Sequence, residues 1–381
     1  MNEKQEKLKW IRKVTPVLYD IALAGLCAYI GLRCRSWLNL MVPFESGYLI
    51  FGLLLVYYVL DLMMVNSVPF TRSRNLVFVI STCTFSVIYC TMALVLVDLA
   101  QLIIKIFVHD AGLLETVFLI CGFLCLAAVI IAVIAGLIHA RKVVGVYDES
   151  PCDKLKQDRS IVLLTDLHIG YFVGRKHIHN IVEQVNAMHP DMVLISGDLF
   201  NGGGTGECTE LSQTARELSQ MASSEGTFAV TGNHDPDPSD ESFRNFLRDA
   251  GIRLLQDEVC RVGGLQLVGR STKIKPRKSL KELMEAADPD LASVVIDHDP
   301  MGISEAAEAG ADCILCGHTH TGQVFPLNFF VRFLYKKEEL WGMARVEKTT
   351  SVVSSGAGIF SMPMRVGSDS EVVCIDLKAA G

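Results

Sequence analysis

The chain has 381 residues, enough for two domains, and half of them are hydrophobic; a mean hydropathy of +0.34 is too high for an ordinary soluble enzyme. Charge is distributed as unevenly as hydropathy. Residues 1–142 carry 12 Lys and Arg against 8 Asp and Glu, and the remainder carries 23 against 34. That acidic remainder lacks the electrostatic footprint of a nucleic-acid binder, so no nucleic-acid partner is expected. An anionic substrate stays compatible with it if bound metal ions reverse the local field. The 12 cysteines show no disulfide framework: Cys27, Cys34, Cys83, Cys90, Cys121 and Cys125 lie in or beside apolar runs and the rest are scattered, which suits a reducing compartment.

From the N-terminus, apolar runs at 14–32, 47–66, 75–99 and 114–138 are each about 20 residues long, the length that crosses hydrocarbon as a helix. They predict a transmembrane domain of four helices within 1–142. A buried helical core would also show such runs, but four of them with short polar connectors favour the bilayer. The basic start (Lys4, Lys7, Lys9, Arg12, Lys13) resembles a signal peptide, yet Arg33 and Arg35 follow the first run without a small-residue cleavage pattern. An uncleaved first span is expected. The basic tail, Arg72, Arg74, Arg141 and Lys142 outweigh Arg33, Arg35 and Lys105 on the opposite connectors, which predicts a multi-pass protein with both termini in the cytoplasm. Asp20, Asp61 and Asp98 interrupt the spans. They are either residues near helix ends, close to water, or functional groups at membrane depth.

Residues 143–159 read as a polar linker. Beyond it strands are expected at 160–165, 192–196, 227–231, 252–256, 259–262, 265–269, 293–296, 313–315, 350–354 and 371–377. Helices are expected between them at 175–188, 209–222, 239–250, 279–287 and 303–309. Such alternation predicts a layered α/β domain over 160–381.

Five of the expected strands end in short clusters of metal-ligating residues: Asp166-Leu167-His168, Gly197-Asp198, Gly232-Asn233-His234-Asp235, His298, and Gly317-His318-Thr319-His320. In open α/β sheets ligands bind outside the carboxyl ends of strands, so these clusters should meet on one rim. Two divalent cations about 3.5–4 Å apart neutralise a phosphoester, hold a water between them and lower its pKa. Imidazole nitrogens and carboxylate oxygens, with one carboxylate shared, are the donors such a pair takes. Gly197, Gly232 and Gly317 would permit sharp turns and close backbone approach at the rim. A lone cluster of this kind is more often a turn or a cap; five in order are not.

The series DLH, GDL, GNHD, HDP and GHTH resembles the calcineurin-like metallophosphoesterase superfamily over roughly 160–377. The ending SSGAGIFSMPMRVG followed by EVVCIDL resembles its membrane-associated bacterial branch, related to UDP-diacylglucosamine hydrolases. The resemblance implies a metallophosphoesterase-type α/β sandwich. It implies that Asp166, His168 and His320 hold one ion, that Asp198 bridges both, and that Asn233, His298 and His318 complete the second site. His234 would contact the phosphoryl oxygens or protonate the leaving group, and Asp235 would orient His234. The expected metals are manganese first, then iron or zinc. Asn201 and Thr321 depart from the branch pattern, and the strand ending at Gly269-Arg270 is not soon followed by the expected aspartate; none of these positions is a ligand, so the departures bear on substrate choice.

Other features read more plainly. Cys313 and Cys316 resemble a CxxC, but strand alternation turns them to different faces and favours core packing. Gly202, Gly203 and Gly204 form a loop beside the site. His177, His179 and His189 are expected at the surface, and Arg365 either touches a phosphate or makes a surface salt bridge. The resulting expectation is a two-metal hydrolase of phosphodiesters or phosphomonoesters in a bacterial cytoplasmic membrane, with its catalytic half in the cytoplasm and a lipid-linked or envelope-precursor substrate among the candidates. Alternatives are a membrane sensor that binds a phosphorylated ligand without turnover, and a small transporter, for which paired broken helices are missing. The sequence sets no oligomeric state.

Overall fold

The computed structural model describes residues 3–41, 46–66, 73–202, 204–272 and 276–379. Arg72, Gly203 and the side chains of the basic N-terminal tail, on which readings above fall, lie outside the described set. The chain divides into two compact units, Met1–Ala135 and Gly136–Gly381.

The first unit is built from α1 (Glu3–Leu38), α2 (Ser46–Val65), α3 (Arg74–Phe107) and α4 (Ala111–His139) up to Ala135. All four are long and apolar enough to cross a membrane. Apart from α2, they run past the apolar stretches that predicted them, because hydropathy marks the greasy segment while the hydrogen-bonded helix continues into its polar flanks. Two of the three aspartates are not groups left to water at a helix end. Asp61 is buried and accepts hydrogen bonds from Tyr19 Oη (3.0 Å) and Thr84 Oγ1 (2.9 Å). Asp98 accepts from Tyr29 Oη (2.7 Å) and is paired with Arg33. Each carboxylate therefore ties neighbouring helices of this unit together, the usual resolution for a charge at that depth.

The second unit contains two six-stranded sheets. Its strands are β1 (Val143–Cys152), β2 (Arg159–Leu164), β3 (Met192–Ser196), β4 (Thr227–Val230), β5 (Ile252–Leu254), β6 (Glu258–Val262), β7 (Leu265–Arg270), β8 (Ala292–Asp297), β9 (Cys313–Cys316), β10 (Gly342–Val346), β11 (Thr349–Val353) and β12 (Ser370–Ala379). Its helices are α5 (Arg175–Ala187), α6 (Leu211–Leu218), α7 (Glu241–Asp249), α8 (Leu280–Glu285), α9 (Ile303–Glu308), α10 (Leu327–Val331) and α11 (Lys337–Leu340). One sheet has the order β1-β12-β2-β3-β4-β5 and the other β10-β11-β9-β8-β7-β6. Strands β2 to β5 run parallel, as do β7, β8, β9 and β11.

Side-chain alternation along these strands makes a four-layer sandwich. Ile161, Leu163, Met192 and Leu194 face inward against Leu267, Val294, Ile296 and Leu315 of the second sheet. Their neighbours Val162, Leu164, Val193 and Ile195 face outward onto the helix layer that includes Ile178, Ile181, Leu218 and Phe243. On the far side Val268, Val295 and Ile314 pack against Leu280, Leu283 and Ile303. Strands buried on both faces carry unbroken aliphatic runs for this reason.

The expected linker at 143–159 is replaced by structure. Val143–Cys152 is an edge strand that pairs in parallel with β12 from Val143↔Ser370 to Cys152↔Ala379. Its outer edge meets no partner strand among the described residues, so polar residues are tolerated there and disguised it as a linker. β10, α10 and α11 also went unanticipated. The expected CxxC reading holds: Cys313 packs between the sheets and Cys316 on the outer face, both buried and unbridged.

Candidate metal centre

The loops that follow β2, β3, β4, β8 and β9 deliver their polar residues to one place. Asp166, His168 and His320 form one group and Asp198, His298 and His318 a second; within each group the donor atoms lie within 4.8 Å of one another. Asp198 stands between them, with its Oδ2 3.2 Å from His298 Nε2 and 3.8 Å from His168 Nε2. Asn233 Oδ1 lies 3.1 Å from His298 Nε2, so the asparagine joins the second group. All seven residues expected as ligands are thus brought together.

The backbone is bent sharply to do this. Asp166 (φ 53°), His168 (46°), Asp198 (51°), His318 (74°) and His320 (48°) all adopt the left-handed conformation, rare for residues other than glycine. Each costs on the order of 1–3 kcal/mol, which the surrounding hydrogen bonds must offset. Glycines take the tightest contacts. A Cβ on Gly197, itself at φ 85°, would lie 2.6 Å from the Gly232 nitrogen, and one on Gly232 would lie 2.5 Å from the Asp198 nitrogen.

Hydrogen bonds fix the donors. His298 Nδ1 donates to the Ser196 carbonyl (2.8 Å), which turns the ring's other nitrogen, Nε2, toward Asp198, Asn233 and His318 Nδ1 (3.2 Å). Asp166 Oδ2 accepts from Thr165 Oγ1 (2.8 Å) and from the His318 amide (2.9 Å). Its Oδ1 is buried without a hydrogen-bond partner, 3.3 Å from His320 Nε2 and 3.7 Å from His168 Nε2. The two imidazole Nε2 atoms are themselves only 3.1 Å apart. An orphaned buried oxygen facing two ring nitrogens leaves a donor set that only a cation or shared protons can satisfy, and the mixture of imidazole, carboxylate and amide oxygen fits a divalent first-row metal.

The electrostatics agree. Burial alone would raise the Asp166 carboxyl, but the His320, His168 and His298 imidazoles hold it well below the usual carboxylate range. Burial likewise opposes ionisation of Asp198, and His298 again prevails to lower it. Against burial, Asp198 and Asp166 raise His298 to about 10. Burial, with His168 close by, lowers His320 to about 3.

His234 sits beside these two groups of donors rather than among them. It is half-buried, its amide donates to Asp198 Oδ1 (2.7 Å), and its ring lies 5.4 Å from that of His168. Asp235 does not orient His234 as expected. Its Oδ1 accepts from the Phe200 amide (3.0 Å) and its Oδ2 from the Gly232 amide (2.7 Å), so it braces the β3 and β4 loops against each other. Burial and then the Asp198 charge push its carboxyl up to about 7.

Two further expectations are corrected. His177 is buried, with Nε2 2.9 Å from the Ala357 carbonyl, whereas His179 and His189 are exposed. Arg365 is fully buried and touches neither solvent nor a ligand position. Its guanidinium donates to the carbonyls of Ser355 (2.9 Å), Gly356 (3.1 Å), Gly358 (2.9 Å) and Asp369 (2.6 Å), fixing the irregular segment under Asp166. Sequence reasoning also missed Phe360, whose ring contacts those of His168 (4.8 Å), His234 (4.7 Å) and His320 (5.5 Å). Nothing in its surroundings, Ile359 and Ser361, singles it out.

With this geometry in place, residues 159–322 match the family described as Calcineurin-like phosphoesterase. The globular unit carries a calcineurin-like phosphoesterase domain. Among curated relatives, the Transmembrane protein with metallophosphoesterase domain of Danio rerio is 32% identical over 279 residues, covering 67% of this chain and 62% of that one. An Uncharacterized metallophosphoesterase of Helicobacter pylori (strain J99) is 31% identical over 232 residues, covering 59% and 61% respectively. The chain thus spans about three fifths of the length of these relatives. Among solved structures, a 5'-nucleotidase precursor from Thermus thermophilus aligns over 58% of this chain and 54% of its own, with a TM-score of 0.36 and 15% identity.

Proposed function

We propose that this chain is a membrane-anchored, metal-dependent phosphoesterase that hydrolyses a phosphodiester or phosphomonoester. The observation that carries the reading is the pair of ligand groups joined at Asp198, with the unpartnered Asp166 Oδ1 facing His168 and His320. Asp166, His168 and His320 would hold one divalent cation and Asn233, His298 and His318 the other, with Asp198 between them. Bound there, the cations would supply charge neutralisation and an acidified water. The chain's own contribution is distinct. His234, beside the ligand groups and held through its amide to Asp198, would contact the phosphoryl oxygens or protonate the departing oxygen. Phe360 packs its ring against those of His168, His234 and His320 and so fixes their orientation.

Manganese is the first choice of metal, with iron or zinc next. The four membrane-length helices, with the resemblance of the tail to a membrane-associated bacterial branch of the superfamily, support as our reading a lipid-linked phosphoester on the cytoplasmic face of a bacterial membrane. The test uses the full chain in detergent, stripped with chelator and reloaded with manganese, acting on a nitrophenyl phosphodiester. Turnover that disappears in both Asp198→Ala and His234→Ala supports the reading. Stoichiometric metal without turnover would instead support a sensor that holds a phosphorylated ligand.

A further inference from the structure

The strand-to-sheet packing of the globular unit leaves one segment unused. After His320 the chain runs through Phe325, Leu327, Phe329, Phe330, Phe333 and Leu334, and these are exposed by 45, 43, 53, 57, 72 and 73%. Helix α10, drawn from this run, has no buried residue at all. Its aromatic rings cluster on one another, Phe329 with Phe330 at 5.7 Å and with Phe333 at 5.2 Å, rather than on the core. The segment is nevertheless firmly seated. The Phe325 amide donates to the Val366 carbonyl (2.9 Å), and Thr319 Oγ1 donates to the Leu340 carbonyl (2.7 Å) at the far end.

Charge distinguishes this face from the rest of its unit. Arg332, Lys336 and Lys337 lie exposed within and just beyond the aromatic cluster, on a half of the chain in which acids outnumber bases 34 to 23. Lys336 is paired with Glu339 (3.3 Å), whereas Arg332 and Lys337 make no ion pair among the described residues. Exposed Phe and Leu flanked by Arg and Lys are the composition of a surface that beds into the headgroup and acyl boundary of a bilayer, with the cations answering anionic lipid. The chain also carries four membrane-length helices, so a bilayer is always at hand.

We infer that Phe325–Lys337 is an interfacial docking surface for an anionic phospholipid bilayer. It belongs to the same stretch of chain as two of the expected ligands, and the Tyr335 ring lies 6.5 Å from that of His318. Docking would therefore hold the ligand cluster at the lipid–water boundary, where an amphiphilic phosphoester presents its headgroup. The docking itself does not depend on the hydrolytic reading.

Hydrogen exchange of the full-length protein tests it without any turnover. The protein is placed in nanodiscs of phosphatidylglycerol and phosphatidylethanolamine and in detergent micelles, alongside a Phe333→Glu/Leu334→Glu variant and an Arg332→Glu/Lys337→Glu variant. Amides of 327–337 should exchange roughly tenfold more slowly in nanodiscs than in micelles. The Phe333→Glu/Leu334→Glu variant should lose that slowing and the Arg332→Glu/Lys337→Glu variant should reduce it, with exchange of β2 and β3 unchanged in both. Equal exchange in nanodiscs and micelles overturns the inference. So does slowing that survives Phe333→Glu/Leu334→Glu, because a protein face such as a second copy would then be covering the segment. Loss of hydrolysis with the exchange pattern intact would bear on the proposed reaction alone.

Discussion

Asp235→Asn isolates the brace between two ligand loops. Both oxygens of Asp235 accept backbone amides, Phe200 at 3.0 Å and Gly232 at 2.7 Å, and the side chain is buried. Asparagine is nearly isosteric but offers one oxygen and one amino group, so one of the two amides must face a donor. A buried donor left unsatisfied costs about 1–3 kcal/mol. In a unit of this size that corresponds to a fall in Tm of about 2–12 °C. The loops carrying Asp198 and Asn233 would loosen with it, lowering metal affinity or turnover by about 10–100-fold. Thermal unfolding of the metal-free protein adds a pH signature. Burial and Asp198 hold the Asp235 carboxyl at about 7 in the fold, above its ordinary value, so the native state binds an extra proton between those values. The wild type's associated stability is complete at low pH and fades as pH climbs through about 7. Asparagine does not titrate, so the variant's deficit should narrow over that window. A variant as stable as wild type at every pH would refute the brace.

Three other outcomes follow from the same geometry. Gly232→Ala places a methyl 2.5 Å from the Asp198 nitrogen and against its carboxylate, so metal stoichiometry should fall toward one per chain while far-UV circular dichroism is unchanged. Phe360→Ala removes a ring shared by His168, His234 and His320 and should lower kcat about tenfold with metal content intact, as measured by elemental analysis. Because Asp198 and Asp166 raise His298 to about 10 in the metal-free protein, loading must displace its proton. Metal binding should therefore tighten as pH rises from about 6 toward about 9 and release protons in calorimetry run in two buffers; a pH-independent affinity would count against His298 as a ligand.

The convergence of the seven expected ligands was legible because their residue types carry their chemistry and because each cluster follows a short aliphatic run of the kind a buried strand carries. Conformation was not. Asp and His enter the left-handed region more readily than most residues, but nothing local says that Asp166, His168, Asp198, His318 and His320 all do so. His177 was readable and overlooked: it stands four residues before Ile181 and eight before Val185, on the apolar stripe of α5. Arg365 was not readable, since its burial answers carbonyls left over by the loop at 355–369, and a sequence does not count unsatisfied carbonyls. Residues 325–341 form short helices that pack little of their surface, so neither periodicity nor burial marked them.

The ten-residue pairing of β1 with β12 has a practical outcome for anyone cutting the gene. A fragment begun at Arg159, where the recognisable domain starts, would strip β12 of its neighbour along that flank. The bared strand, apolar and long, would offer its open amides and carbonyls to other molecules and drive them into aggregates. Starting instead at Val143 keeps the flank closed.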